Sequence, residues 1–545
     1  MSVTVTISSN GATMDPSYQL LSVSVQREVN RIPHAELTLR DGDASRRKFD
    51  ISDTTFFEPG SEIEIKLRDV GNTDESVFKG RVMRHSLEAD RNGSRLAVGL
   101  KDAAVKLTGT RHSVVYSGQK DSEIIKKILG DSNIKAGTIA DATSNDGQVV
   151  QYACTDWDFI VSRADAHGYC VSIDDGELSV KDLSVSGSPV KRFDWGISEI
   201  LELEFDADAH HQFATVESQA WDLKNLQLTG PSAAKSVSST QGNLNAAKIA
   251  QDIGFGKRLL ISPVPLETAE LQVWADGTLA KSRAAMLRGR LSVPGTTGLK
   301  LLDVIEFDGC GERFKGKALV TGLGHRVNQN GWVTDVQFGV SPQPYSATEA
   351  IIDAPAAGLI PGLLGLQIGL ITDSGDDPEK EFRVKVTLPG VTTGDASVWA
   401  RLCAPDAGNQ RGYFFRPEVG DEVVVGFLNN DPRHPVVLGS LYGSKNAPPD
   451  DLNKDLDKNK LKGIVTRKGT TISFLDDDKS AVFIQTPGKN KILLDDDAKA
   501  IKLTDQNGNT LTMDENGIEM KSAKNFTIDA SDGNVEIKGS QVDVK

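Results

Sequence analysis

Cysteine is scarce: the chain of 545 residues has four, Cys154, Cys170, Cys310 and Cys403, and none is spaced from another as metal ligands would be. So few thiols cannot frame several domains with disulfides, and they read as buried thiols of a chain made in a reducing compartment. Basic charge is not in excess either. With 61 Lys and Arg against 76 Asp and Glu, the formal net charge of -15 would repel a phosphate backbone, which argues against nucleic acid as a partner. The N-terminus, MSVTVTISSNGATMDPSYQL, has no basic stretch followed by an apolar one, so no export signal is expected. The long apolar run APAAGLIPGLLGLQIGLI, Ala354 to Ile371, is interrupted by Pro361 and by glycines, with no Lys or Arg closely bracketing it. It is expected to connect domains and not to span a membrane. No phosphate-cradling GxxxxGK[ST] loop is found.

What the chain has is repetition. From Ile472 onward apolar residues recur as i, i+2 pairs: Ile472 and Phe474, Val482 and Ile484, Ile492 and Leu494, Ile501 and Leu503, Leu511 and Met513, Ile518 and Met520, Phe526 and Ile528, Val535 and Ile537, Val542 and Val544. Each pair marks one face of a short strand, and turn formers such as DDDK, PGKN, QNGN and ENG separate them. Strands that offer only two inward side chains each cannot close a core alone. Identical chains meeting about an axis would cover the stripe, and a three-chain prism would also pair the strand edges. The expectation is a trimeric β-prism (β-helix-like) needle over 464–545, behind a polar linker at 444–463. Its core is assigned to Ile472, Phe474, Ile492, Leu494, Ile501, Leu503, Leu511, Met513, Ile518, Met520, Phe526 and Ile528.

Upstream, RVKVTLPG and GDEVVVGFLNNDPRHPVVLGSLY predict a small all-β barrel over 379–443, after a connection at 351–378. The first 350 residues contain an echo. FKGRV (Phe78 to Val82), His85 and LAVGL are answered by FKGKALV (Phe314 to Val320), His325 and NGWVTDVQFGV, which predicts a duplicated β module at 1–115 and 266–350. In a trimer six near-equivalent modules would then form a ring. Helical signals at SEIIKKILG behind a Ser cap, at TDWDFIVSRADAHGYCV and at AKSRAAMLRGRL make the middle, 116–265, and its flank mixed α and β.

In this order, FKGRVMRHSLEADRNGSRLAVGLKDAAVKL, TDWDFIVSRADAHGYCV, LVTGLGHRVNQNGWVTDVQFGV, RVKVTLPG and FFRPEVGDEVVVGFLNNDPRHPVVLGSLYG resemble the VgrG spike proteins of contractile injection systems, which are similar to the hub and spike proteins of phage tails. The resemblance covers nearly the whole chain. It implies a mainly β homotrimer with an α+β head, two tube-like β-barrel domains, an OB-fold barrel and the needle. The implied partners are a hexameric tail-tube protein above, a PAAR-type tip protein below and baseplate proteins around. The tip protein would be held near Val535, Ile537, Val542 and Val544. Effector cargo is compatible with this scheme, as the alternative in which a type VI secretion spike carries a bound effector. The short needle favours a phage-tail-like particle, assembled in the bacterial cytoplasm and meeting a target membrane only by puncture.

Candidate chemistry is thin. Asp431, Arg433 and His434 crowd NNDPRHP, but prolines flank the pair and Asn429 and Asn430 suit a tight turn, so the expectation is geometry without catalysis. His210 and His211 would point to opposite sides of a strand, which disfavours one shared metal. The triplets Asp476 to Asp478 and Asp495 to Asp497 lack a calcium-roll register and have Lys479 and Lys499 beside them. The linker is too short for a wall-cleaving domain. No cofactor, metal or enzymatic activity is expected; a trimeric adhesin or receptor-binding fibre is the other structural reading.

Overall fold

Alternating apolar and polar side chains dictate the first of two units, Met1–Asp353. In β1 (Gln19–Glu28) Val23 and Val25 face inward, in β2 (His34–Arg40) Ala35, Leu37 and Leu39, and in β3 (Glu62–Arg68) Ile63, Ile65 and Leu67. β4 (Glu75–Asp90) and β5 (Gly93–Lys101) add Phe78, Val82, Leu96, Val98 and Leu100 to the same core. These strands pair antiparallel in the order β1-β2-β5-β4-β3. The computed structural model describes residues 3–68, 73–91, 93–141, 147–235, 237, 241–390, 396–454 and 456–545.

The same order then returns. β6 (Glu202–Ala207), β7 (Leu287–Pro294), β8 (Val304–Asp308), β9 (Gly316–Asn328) and β10 (Gly331–Phe338) pair antiparallel as β6-β7-β10-β9-β8. They cover a second core that includes Leu291, Ile305, Phe307, Val336 and Phe338. Each copy has its bulge at the same place. Met83 is extra in β4 between Val82, opposite Leu100, and Arg84, opposite Gly99; Thr321 is extra in β9 between Val320, opposite Phe338, and Gly322, opposite Gln337. The head therefore holds a duplicated module, but the FKG echo aligns the wrong residues. With the bulges matched, Phe78 answers to Gly316 and not to Phe314, and His85 answers to Leu323 and not to His325. An even slip preserves the face in a period-two element, which is why the echo found the right hairpins through the wrong residues. The distal half of β9 also pairs with β1, from Gly322 opposite Glu28 to Val327 opposite Val23, so one thirteen-stranded sheet among the described residues runs through both copies.

Two insertions carry the longer helices. α1 (Asp121–Asp131) and α2 (Asp156–Ala166) pack Ile124, Ile128, Trp157 and Ile160 into a core of their own. Thr155 caps α2 by accepting the Asp158 N–H at 3.0 Å. The expected Ser122 cap is corrected: Ser122 lies inside α1, and the Glu123 carboxylate accepts the N–H of the preceding Lys120 at 3.1 Å. The helix expected over Ala280–Leu291 is also corrected. α3 (Thr268–Ala284) ends there and β7 begins at Leu287, where a Cβ on Gly289 would meet Glu204 O at 2.1 Å. The second module starts with β6, so its expected edge at 266 does not hold; 208–286 is an insertion between its first two strands.

In the second unit, Ala354–Lys545, β11 (Gln367–Asp373), β12 (Val384–Thr387), β13 (Val398–Leu402), β14 (Glu422–Phe427) and β15 (Pro435–Ser440) close a barrel in the order β11-β12-β13-β15-β14. Ile371, Val384, Val386, Ala400, Val423, Val425 and Val437 fill it. The barrel's first strand lies inside 351–378, the segment expected to be only a connection. Gly369 belongs there because a Cβ would sit 2.5 Å from Val386 Cγ1. Among the described residues no helix is long and apolar enough to cross a membrane. The chain continues as an antiparallel meander: β16 (Leu461–Val465), β17 (Thr471–Leu475), β18 (Ala481–Gln485), β19 (Lys491–Asp495), β20 (Ala500–Thr504), β21 (Thr510–Asp514) and β22 (Gly517–Lys521).

Candidate functional site

The register of the meander sets two unbroken apolar rows on one face. Ile464, Ile472, Ile484, Ile492, Leu503, Leu511 and Met520 stand opposite one another in one row. Phe474, Val482, Leu494, Ile501, Met513 and Ile518 form the other. A single-layer sheet gives this face nothing to rest on: Ile472 stays 38% exposed, Phe474 45%, Ile492 39%, Leu494 42% and Leu503 38%. Covering the remainder is worth roughly 1 kcal/mol per side chain, since full burial of such a group gives about 1.5–3 kcal/mol. Summed along the rows this is on the order of 10 kcal/mol per chain before the cost of association.

Charge gathers toward the turns, and the opposite face is mixed, with Phe483 opposite Leu493 among Ser473, Lys502 and Thr512. Lys462 pairs with Asp476 at 2.7 Å, Lys460 with Asp477 and Lys479 with Asp497. Asp495 instead accepts the N–H groups of Asp497 and Ala498 at 2.9 and 3.0 Å. These carboxylates are thus held by lysines and by their own turns. Asp505 accepts the Asn509 N–H at 2.8 Å and the Asn509 amide at 2.7 Å, which lowers its carboxyl to about 2.

Ile518 and Met520 lie in β22, but the nine-strand expectation is corrected beyond it. Residues 522–545 form no strand, so Phe526, Ile528, Val535, Ile537, Val542 and Val544 lie past the last ladder, each at least half exposed. An apolar pair sets a face. A strand also needs a neighbouring backbone to bond, and in one chain the outer edge of β22 has none of these residues beside it.

Asp431, Arg433 and His434 form the β14–β15 turn. Phe427 pairs with Pro435, Asn429 and Asn430 adopt φ of 53° and 54°, and the His434 N–H bonds Asp431 O at 2.9 Å. Asp431 accepts the Arg433 N–H at 2.9 Å and pairs with its guanidinium at 2.7 Å, which holds its carboxyl at about 2. His210, largely exposed, bonds Asp208 at 2.6 Å, and Asp208 pairs with Arg288 at 2.8 Å. Among the described residues no three His, Cys, Asp or Glu side chains gather as metal ligands.

The burial of Arg27 and of His325 was not read from the sequence. Arg27 points into the head and meets Asp174 at 2.6 Å, Asp175 at 2.7 Å and Val77 O. Its inward register after Val23 and Val25 was the available signal. His325 is 3% exposed; its Nδ1 lies 3.2 Å from Thr334 Oγ1 and accepts the Trp332 Nε1–H at 3.4 Å. Burial, helped by the nearby Arg27 charge, pushes its pKa down to about 4.

The barrel and the meander identify the class. Residues 367–442 match the type VI secretion system/phage-baseplate injector OB domain, and residues 481–545 match the phage baseplate V C-terminal trimerisation domain, as in spike proteins of phage-tail-like machines. Residues 1–329, more than half of the chain, match the Alg8 N-terminal domain, and the chain belongs to that family. It is 31% identical over 118 residues to the actin cross-linking toxin VgrG1 of Vibrio cholerae serotype O1, covering 21% of this chain and 10% of that protein. It is 35% identical over 99 residues to the type VI secretion system spike protein VgrG5 of Pseudomonas aeruginosa, covering 17% of this chain and 12% of that one. The matched segments thus span about a tenth of these curated relatives. A tail protein from Neisseria meningitidis MC58 aligns with 62% of this chain and 96% of its own, at 14% identity and a TM-score of 0.46.

Proposed function

We propose that the chain is the trimeric central spike of a contractile, phage-tail-like injection machine, joining a sixfold tail tube to a threefold needle that punctures a target envelope. The observation that carries this reading is the two-row apolar face of the needle sheet, which one chain leaves uncovered. The match of residues 481–545 to a trimerisation domain supports three chains as its cover. Two head modules per chain make six in a trimer, which suits a hexameric tube. Baseplate proteins surround the head, and a PAAR-type tip protein docks on the exposed Val535, Ile537, Val542 and Val544. Work comes from sheath contraction, so the spike needs stability under load and no catalytic group. Assembly takes place in the bacterial cytoplasm, and contraction delivers the spike outward.

Light scattering of the full chain and of a form ending at Lys445 tests this. The full chain is expected at three times the mass of one chain, and the shortened form is expected to lose most of that association. A monomeric full chain overturns the proposal. The exposed apolar end also suits a non-covalently carried effector as occupant. Val542→Asp with Val544→Asp is expected to abolish capture of a purified tip protein without changing the trimer.

A further inference from the structure

The chain leaves the first unit through a segment gripped along its length by polar and charged groups. Lys281 donates to Gln343 O at 2.7 Å, the Tyr345 N–H to Asp165 at 3.0 Å and the Tyr345 hydroxyl to Asp158 at 2.9 Å. Arg111 donates to Ile351 O and pairs with Asp353 at 2.9 Å. Tyr345 and Ile351 also pack against the core that α1 and α2 build. The grip of the second unit begins almost at once. Pro355 meets Gly362, where a Cβ would lie 2.3 Å from Pro355 Cβ, and the Leu363 N–H bonds Asn430 O at 2.8 Å. Only Ala354 separates the two grips, so the connection has no slack.

The two grips are built differently. Ala356 and Ala357 have φ, ψ of 54°, 30° and 53°, 24°, and Gly358 follows at φ 69°. The loop thus starts with a turn of the hand that L-residues avoid, closed by the Leu359 N–H on Ala356 O at 3.0 Å. Among the described residues, only one other place sets two non-glycine residues in succession at positive φ. That place is Asn429 and Asn430, in the β14–β15 turn on which the loop rests. Asparagine tolerates this conformation because its short polar side chain bonds locally, whereas the Cβ of alanine crowds the following carbonyl. A backbone held this way persists only while its surroundings enforce it. Ala356 is 1% exposed and serves as the anchor; Ala357 is exposed.

We propose that residues 355–362 are a yielding link: the loop opens by itself, ahead of the clamp on the first unit and ahead of the barrel, and releases chain between two units that stay folded. Opening the clamp breaks an ion pair and buried packing, whereas opening the loop breaks two backbone hydrogen bonds and lets an unfavoured turn unwind. Seven Cα steps extend to at most about 25 Å, so opening a loop whose ends touch lengthens the connection by roughly 20 Å. The link rests on the spike reading above, in which sheath contraction loads the chain along its length. Under that load the head and the needle can shift against each other without breaking either core.

Hydrogen exchange on the full chain reads the opening directly. The amides of Leu359 and Leu363 are expected to exchange through an opening that neither Tyr345 nor the barrel strand β14 shares. Ala357→Gly is expected to slow both amides about fivefold and Ala357→Val to speed them about tenfold, with exchange in β14 unchanged. Position 357 is exposed, so neither variant disturbs a core. Loop amides that exchange only at the rate of β14 overturn the link, as does a glycine variant whose loop exchanges as fast as the native one or faster. Light scattering on the same samples separates the two ideas. A trimer whose loop opens only together with the barrel keeps the spike and discards the link; a native monomer removes the load and overturns both.

Discussion

At the residue scale, the two modules provide a natural comparison for a buried titratable group. His325 occupies the place that Leu87 holds in the first module, and its Nδ1 acts as an acceptor, which only the neutral ring can do. Above its ordinary pKa of 6.5 the ring is neutral whether the chain is folded or not. Below it the unfolded chain takes up a proton that the folded head refuses down to about 4, so stability falls as pH falls through that window. The loss amounts to about 3 kcal/mol at most. His325→Leu should remove it: urea unfolding at pH 7.5 and pH 5 is expected to show the variant gaining on the native protein at pH 5. An unchanged gap between the two pH values would rule this out. At the β14–β15 turn, Asn429 holds a left-handed conformation. Asn429→Ala should cost about 1 kcal/mol and Asn429→Gly much less, because alanine pays the Cβ clash that glycine lacks. Urea unfolding of the second unit reads both.

Among the elements, the needle depends on register more than on any one residue. Each strand from β17 to β22 contributes to both rows, so a charge in the middle of either row meets apolar neighbours on two strands. Leu503→Asp, between Ile492 and Leu511, should convert the trimer to monomers in light scattering. Lys502→Asp, next in sequence on the opposite face beside Leu493 and Thr512, should leave the trimer intact. Equal loss in both variants would place the association elsewhere. The period-two signal was legible here because turns pin each strand to its neighbour. It was misleading where residues 522–545 keep the apolar pairs but find no ladder in one chain.

For the whole molecule, a single sheet through both modules means the first unit should unfold as one cooperative block despite its insertions. The second unit has its own barrel core. Calorimetry is expected to show separable transitions for the two units, and Ile371→Ala, deep in the barrel, should lower only the second unit's transition, with a cost of about 2–5 kcal/mol. A matching drop in the first unit's transition would overturn their independence.

The amino-acid sequence by itself determined the local patterns: alternating strands, the asparagine turn at Asn429 and the one-sided stripe of the needle. Such features depend on neighbours a few residues away, and their periodicity is written directly in the chain. Tertiary structure decided which residues of the two modules correspond, where β6 joins a sheet completed eighty residues later, and that the barrel starts at Gln367. It also placed Arg27 beside Asp174 and Asp175, and buried His325. Backbone pairing between distant strands settles these matters, and a two-residue slip leaves the apolar pattern unchanged while moving every cross-strand partner.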